Sequence, residues 1–351
     1  MRMTAPLKTG HWRLTDLADV PKNGLKVFSC FHCGGGSTMG YKLAGYDVLG
    51  GVEIDPEMMA LYRKNHSPLH SYLMGVEDFN KIPDSELPSD LFELDILDGS
   101  PPCSSFSMSG SREKKWSTKT KFREGQAVQV LDDLFYHFID TARKLKPKVV
   151  VAENVKGLIL GNARGYVKQI FAEFKKAGYD CQLFLLNASR MGVPQRRERT
   201  VFIARRSDFN FQKLRLTFQE DEISVFQAFK DIKTKGPDRS KSINLKYYNQ
   251  CEPGEAFSKY HPKNSLFNNS KLPKNKPANT VTSQFHTLFH FESMRMLSRE
   301  EFLALQTFPR DYAVANYKMA GYICGMSVPP FMMQRIADQI ERQILSVKGH
   351  P

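Results

Sequence analysis

The chain has 351 residues, 41% of them hydrophobic and 25% charged, enough for one large domain and a smaller one. Fifty Lys/Arg against 37 Asp/Glu leave a net charge of +13, which favours a polyanionic partner, most simply nucleic acid. No apolar run reaches membrane-span length, Met1–Trp12 lacks the apolar stretch of a signal peptide, and six irregularly spaced cysteines suit a reducing compartment, so a cytoplasmic protein without membrane attachment is expected.

From Lys26 to about Arg205, apolar runs alternate with amphipathic stretches. The pattern predicts strands at Leu25–Phe31, Tyr46–Glu53, Leu94–Gly99, Val149–Glu153, Tyr179–Asn187 and Thr200–Ala204. Helices are predicted at Ser37–Ala44, Pro56–Asn65, Gln126–Leu145 and Tyr166–Ala177. A run such as Lys148-Val149-Val150-Val151-Ala152 belongs to a sheet buried on both faces, so the fold class is α/β with a mostly parallel sheet. Beyond Arg206 the character changes. Gly236-Pro237, Glu252-Pro253-Gly254 and Asn268-Asn269-Ser270 break the chain into short segments. Between Arg205 and Lys276 fifteen Lys/Arg stand against eight Asp/Glu, about half the net charge in a fifth of the chain. A smaller, irregular, basic domain is therefore expected at residues 206–309, with 1–205 and 310–351 forming the larger one. Helical periodicity returns at Ser298–Gln306 and Pro329–Ser346.

The run Phe31-His32-Cys33-Gly34-Gly35-Gly36-Ser37 follows a strand and opens a helix, where glycines allow close backbone approach and the helix N-terminus favours negative charge. Glu53-Ile54-Asp55 follows about twenty residues on, at the offset where an acid takes the hydroxyls of a ribose. A tight turn alone would explain the glycines. The acid adds the argument for a nucleoside cofactor, and the lack of both dinucleotide spacing and a phosphate-binding lysine favours adenosine without a pyrophosphate. Cys30 and Cys33 form a CxxC without the second ligand pair that a closed zinc site needs, so no metal is expected.

Gly99-Ser100-Pro101-Pro102-Cys103 places a thiol on a proline-fixed turn after an apolar strand, and Glu153-Asn154-Val155 ends a second strand with a carboxylate. A nucleophile and an acid at strand ends in one sheet suit covalent attack on an activated double bond. Residues 104–125 hold six Lys/Arg and one Trp, as a basic loop closing over an anionic substrate would. In Gln195-Arg196-Arg197-Glu198-Arg199, strand alternation would point Arg197 and Arg199 the same way, against the alternative of a solvated charge run.

These motifs, in this order, resemble the DNA cytosine-5 methyltransferases over nearly the whole chain. Arg295-Met296-Leu297-Ser298-Arg299-Glu300-Glu301, Leu305-Gln306-Thr307-Phe308-Pro309 and Gly325-Met326-Ser327-Val328-Pro329 extend the match. The resemblance implies a Rossmann-like sheet that binds S-adenosyl-L-methionine, and a target-recognition role for the small domain. It implies that Cys103 attacks C6 of a cytosine flipped out of double-stranded DNA, and that methyl transfer to C5 follows. Glu153 would hydrogen-bond N3, Arg199 would hold O2, Arg197 would support the nucleophile loop and Asn154 would orient Pro102–Cys103. Phe31 would face the adenine and Glu53 the ribose, with Gly34, Gly35, Gly36, Ile54, Asp78, Phe79, Pro101, Leu134 and Ser327 completing the cofactor site. The sequence departs from the family at Cys33, where the loop has its first glycine, and at Met326, where an asparagine is usual. The resemblance also brings in a cognate restriction endonuclease as a candidate partner, and the short small domain suggests a monomer. A transfer-RNA methyltransferase is the alternative, disfavoured because the Cys-Phe-Thr tripeptide of that branch is missing. A catalytically silent DNA-binding relative is disfavoured by the intact Cys103, Glu153 and Arg199.

Overall fold

The computed structural model describes residues 9–102, 119–120, 129–130, 133–160, 164–209 and 212–346, so Cys103 and most of the basic loop after it lie outside the described residues. The chain forms two compact units. The larger gathers Val20–Leu186, Glu198–Thr217 and Gln334–Pro351; the smaller gathers Met1–Asp19, Asn187–Arg197 and Phe218–Met333.

The larger unit is built on a seven-stranded sheet. Its strands are β1 (Lys26–Cys30), β2 (Asp47–Glu53), β3 (His70–Leu73), β4 (Ile96–Gly99), β5 (Val149–Val155), β6 (Tyr179–Asn187) and β7 (Glu198–Arg206). They lie in the order β3-β2-β1-β4-β5-β7-β6. The pairings β1–β2, β2–β3, β1–β4 and β4–β5 are parallel, while β7 runs antiparallel to β5. All four residues of β4 and the first six of β5 are buried, as the apolar runs Ile96-Leu97 and Val149–Ala152 require of strands covered on both faces, and Asp98, Glu153 and Asn154 are buried with them. β3 was not predicted: His70-Ser71-Tyr72-Leu73 has no apolar run because it is the half-exposed edge of the sheet.

Helices α1 (Gly36–Leu43), α2 (Pro56–His66), α3 (Val76–Lys81), α4 (Leu134–Leu145) and α5 (Arg164–Lys176) cover the sheet faces. Asp55 starts α2 by accepting the backbone N–H groups of Glu57 and Met58, with Pro56 in the first turn. Phe135, Phe138, Ile139, Ala142 and Leu145 recur on one face of α4 and enter a core with Phe28, Leu97, Val150, Phe174 and Phe202. Each such burial contributes roughly 1.5–3 kcal/mol before entropy is counted. The expected helix at Gln126–Leu145 begins only at Leu134, since Gln129–Val130 pairs antiparallel with Lys119–Thr120.

The smaller unit carries α6 (Val225–Phe229), α7 (Leu245–Gln250), α8 (Arg299–Leu305) and α9 (Tyr317–Met326), and α10 (Pro330–Ile340) follows. Capping boxes at Ser224/Gln227 and Ser298/Glu301 open α6 and α8. Tyr247, Tyr248, Phe257, Phe289, Met294 and Met296 form its own core. Its borders differ from the expected 206–309, which marked only where strand patterning stops and turn residues accumulate. Gln195 and Arg197 are tied instead by hydrogen bonds to Val281, Leu305, Gln306 and Gly325, which draws the segment before β7 into the smaller unit.

Candidate active site

The site starts at the turn between β1 and α1. Phe31 (φ 55°), Cys33 (φ 47°) and Gly35 (φ 78°) all take left-handed backbone there. Gly35 has no substitute. A Cβ on it would lie 2.3 Å from the His66 imidazole, which stands beneath the turn with His32 and Tyr62 stacked at 3.7 Å. Cys33, at the family's first glycine, keeps the glycine-like conformation and sets its Sγ 3.6 Å from Met58 Sδ.

The turn is fastened to the end of β2. The Cys33 N–H donates to Glu53 Oε2 (2.9 Å) and the Asp55 N–H to Glu53 Oε1 (3.0 Å). Burial raises the Glu53 carboxyl above its ordinary value, and the two N–H donors act against that rise. Each oxygen keeps further acceptor capacity, which suits the paired hydroxyls of a ribose. Phe31 is partly exposed, with its ring tilted 6.4 Å from that of Phe138, an arrangement that suits an adenine. The residues present therefore fit the nucleoside part of S-adenosyl-L-methionine. Ile54 is half-buried, while Pro101 and Leu134 are buried. Phe79 is wholly buried and packs on Phe28 and Tyr72, so of the Asp78-Phe79 pair only Asp78 offers an exposed side chain, 2.8 Å from Lys81.

The acid and its arginine come from the antiparallel ladder between β5 and β7. Glu153 faces Val201 and Val155 faces Arg199, so Arg199 is the diagonal neighbour of Glu153 on the same sheet face. Arg199 Nε lies 2.8 Å from Glu153 Oε1, and both side chains are nearly buried. Burial lowers the guanidinium from its ordinary value and Glu153 opposes that shift. Asn154 faces the opposite way, and its Nδ2 donates to the Pro101 carbonyl (3.1 Å) in the segment leading to Cys103. β7 begins at Glu198, so strand alternation does not reach back to Arg197. Its guanidinium, 2% exposed, donates to the Val281 and Gly325 carbonyls (3.1 Å each) within the smaller unit. Ser327 belongs to that unit too. Its backbone carbonyl accepts from Gln306 Nε2 (2.6 Å), and beside it Met326 is 42% exposed.

Motif spacing does not single out Asp98. It is a buried acid in β4, bonded to the Ser29 hydroxyl (2.8 Å), and its signal was a charge inside the apolar run Ile96-Leu97. No helix among the described residues is long and apolar enough to cross a membrane, and they contain no group of three His, Cys, Asp or Glu placed to hold a metal.

A solved structure of an Escherichia coli prophage-encoded candidate DNA modification methyltransferase superposes with a TM-score of 0.70 at 18% identity, covering 92% of this chain and all of that one. The mostly parallel sheet covered by helices is a Rossmann-like fold, shared with that structure. The family described as C-5 cytosine-specific DNA methylase matches residues 25–342. The chain belongs to that family and is a DNA cytosine-5 methyltransferase. Type II methyltransferase M1.HphI of Haemophilus parahaemolyticus is 28% identical over 339 residues, covering 90% of this chain and 86% of the relative. Type II methyltransferase M.FnuDI of Fusobacterium nucleatum is 32% identical over 198 residues, covering 56% of this chain and 52% of the relative.

Proposed function

We propose that the protein methylates C5 of a cytosine turned out of double-stranded DNA at a specific sequence, with Cys103 as the nucleophile. The observation that carries this reading is the buried Glu153–Arg199 pair, with Glu153 on β5 beside β4, the strand that leads through Pro101 to Cys103, and Arg199 on β7 at the far side of β5. Cytosine is unreactive at C5 until a nucleophile adds to C6, which is the task of the Cys103 thiolate. Glu153 holds N3 and stabilises the proton there, and Arg199 spreads the charge that develops at O2. Asn154 fixes the Pro101 carbonyl and with it the approach of the following residues. S-adenosyl-L-methionine, held by the β1–α1 turn and Glu53, supplies the methyl group. Loss of the C5 proton and expulsion of the thiolate then restore the aromatic ring. The flipped base is required because C6 is out of reach within a stacked duplex. The basic excess between Arg205 and Lys276 supports a phosphate-gripping role for that segment, and a monomer suffices for it.

The test is nucleoside mass spectrometry of unmethylated duplex DNA incubated with the protein and S-adenosyl-L-methionine, with Cys103→Ala and a transfer-RNA substrate alongside. 5-Methyldeoxycytidine formed only by the intact protein is the expected result. Methylation that persists in Cys103→Ala, or that occurs only on transfer RNA, overturns the reading.

A further inference from the structure

Two adjoining loops of the smaller unit show apolar side chains to solvent among positive charges. Residues 239–246 form the turn before α7, and its backbone is fixed: the Arg239 N–H donates to the Met294 carbonyl (2.9 Å), the Ser242 N–H to Arg239 (2.9 Å) and the Leu245 N–H to Ser242 (3.0 Å). The serines serve the turn itself. The Ser240 hydroxyl donates to Asp238 (2.7 Å), and the Ser242 hydroxyl accepts from the Asn244 N–H (3.3 Å). Arg239, Lys241, Ile243 and Lys246 remain exposed, and Ile243, at 84%, is the most exposed large hydrophobic side chain among the described residues. The second loop is tied to the first through Tyr247 on α7, whose ring lies 5.1 Å from that of His261, and through Leu245 and Leu266, which pack against the same core. Leu266 takes left-handed backbone (φ 64°), which a leucine rarely adopts, and its neighbour Phe267 is 64% exposed. Neither 239–251 nor 256–291 contains an aspartate or glutamate, while the first holds three Lys/Arg and the second five. Of the acids that border them, Asp238 is bonded to Ser240 and Glu255 is paired with Lys259. Among the described residues, none of Arg239, Lys241 and Lys246 forms an ion pair.

Surface cations without acids beside them complement a phosphate backbone, which they can grip without reading sequence. The isoleucine between them has no donor or acceptor to offer a base. What an aliphatic side chain can recognise on a base edge is the C5-methyl group of thymine in the major groove. We propose that Ile243 is a specificity-determining residue that reads the methyl group of a thymine in the recognition sequence, while Arg239, Lys241 and Lys246 hold the phosphates around it. The inference rests on the reading that the protein methylates double-stranded DNA at a specific sequence. The fixed turn keeps Ile243 in one place, so its contact depends on where the methyl group lies and discriminates between sequences.

The experiment begins by sequencing duplex DNA methylated by the full chain, which gives the recognition sequence. Duplexes carrying that site are then made with each thymine replaced in turn by deoxyuridine, which removes only the methyl group, and kcat/KM is measured on each. One replacement should cost the wild type about tenfold. Ile243→Ala should lose about as much on the thymine duplex and be indifferent to that replacement, whereas Ile243→Val, which keeps a branched side chain, should retain most of the sensitivity. The thymine-to-uracil ratio is the readout that a merely structural role would not move, since a damaged fold lowers both rates alike. Lys241→Ala should weaken binding to both duplexes equally and reduce the salt slope by about one. A recognition sequence without thymine on either strand, a wild type indifferent to every replacement, an Ile243→Ala that keeps the wild-type ratio, or a Lys241→Ala with the wild-type salt slope overturns the proposal alone. A wild type that methylates no duplex DNA overturns the reading beneath it and the proposal together.

Discussion

Arg197→Ala removes a guanidinium that is 2% exposed and bonds two backbone carbonyls, Val281 and Gly325, at 3.1 Å each. A hydrogen bond from a charged donor contributes about 1.5–3 kcal/mol net, so two together are worth about 3–6 kcal/mol. Both carbonyls would lose a charged donor at a buried position. The Gly325 site cannot relax far, since even an added Cβ there would lie 2.2 Å from the Ser283 backbone. Arg197→Lys supplies one point donor and should lose about half as much. Arg196→Ala is the control, because that side chain is 48% exposed and only 3.4 Å from Glu222, a pair worth less than about 1 kcal/mol. Urea unfolding can be followed by the fluorescence of Trp12, whose indole N–H donates to the Thr307 carbonyl in the same unit (3.0 Å), in a Trp116→Phe background. An Arg197→Ala transition within about 1 kcal/mol of the wild type, or equal to that of Arg196→Ala, would refute the reasoning.

Gly99→Ala should destabilise the larger unit by about 1–3 kcal/mol, because the new Cβ meets the Phe138 ring at 2.5 Å; adding Phe138→Leu should recover part of the lost melting temperature, and a silent single variant would contradict the packing. Glu53→Gln should weaken S-adenosyl-L-methionine binding about tenfold or more in calorimetry, since an amide offers one acceptor where the carboxylate offers two to Cys33, Asp55 and a ribose; unchanged affinity would remove Glu53 from the cofactor site. For Asp98 the folded carboxyl sits at about 7 against about 3.9 in an unfolded chain. Its contribution to stability is therefore complete below the unfolded value and is lost as pH rises toward 7, by on the order of 4 kcal/mol. Asp98→Asn should accordingly melt higher than the wild type above neutrality and lose that advantage toward about pH 4, whereas a melting difference independent of pH would be inconsistent with a raised carboxyl.

The sheet was legible wherever burial on both faces writes an unbroken apolar run, as in Val149–Ala152. It was illegible at the edge, where His70–Leu73 needs only backbone partners on one side. The Glu53 site could be read because a glycine turn and an acid at fixed offset answer local backbone geometry. The Arg199–Glu153 contact could be foreseen only as a chemical role, since its geometry depends on the reversed direction of β7, which no local signal encodes. Arg197 shows the converse. Alternation predicts its direction only if the strand reaches it, and the strand stops one residue short. Asp98 lay in plain sight, but the meaning of a buried acid comes from the hydroxyls around it, and Ser29 and Tyr41 are 69 and 57 residues away in sequence.

The antiparallel ladder also sets where this protein tolerates added chain. Seven consecutive residue pairs, from Val149–Arg205 to Val155–Arg199, hold β5 and β7 in register independently of the length of what connects them. A peptide spliced beside Gly178, where a side chain would meet open space between α5 and β6, should leave Glu153 and Arg199 in contact. Deleting one residue between Arg199 and Val201 would turn the guanidinium to the other face of the sheet. Tags, reporters and split points belong at the first position, and the second admits no change of length.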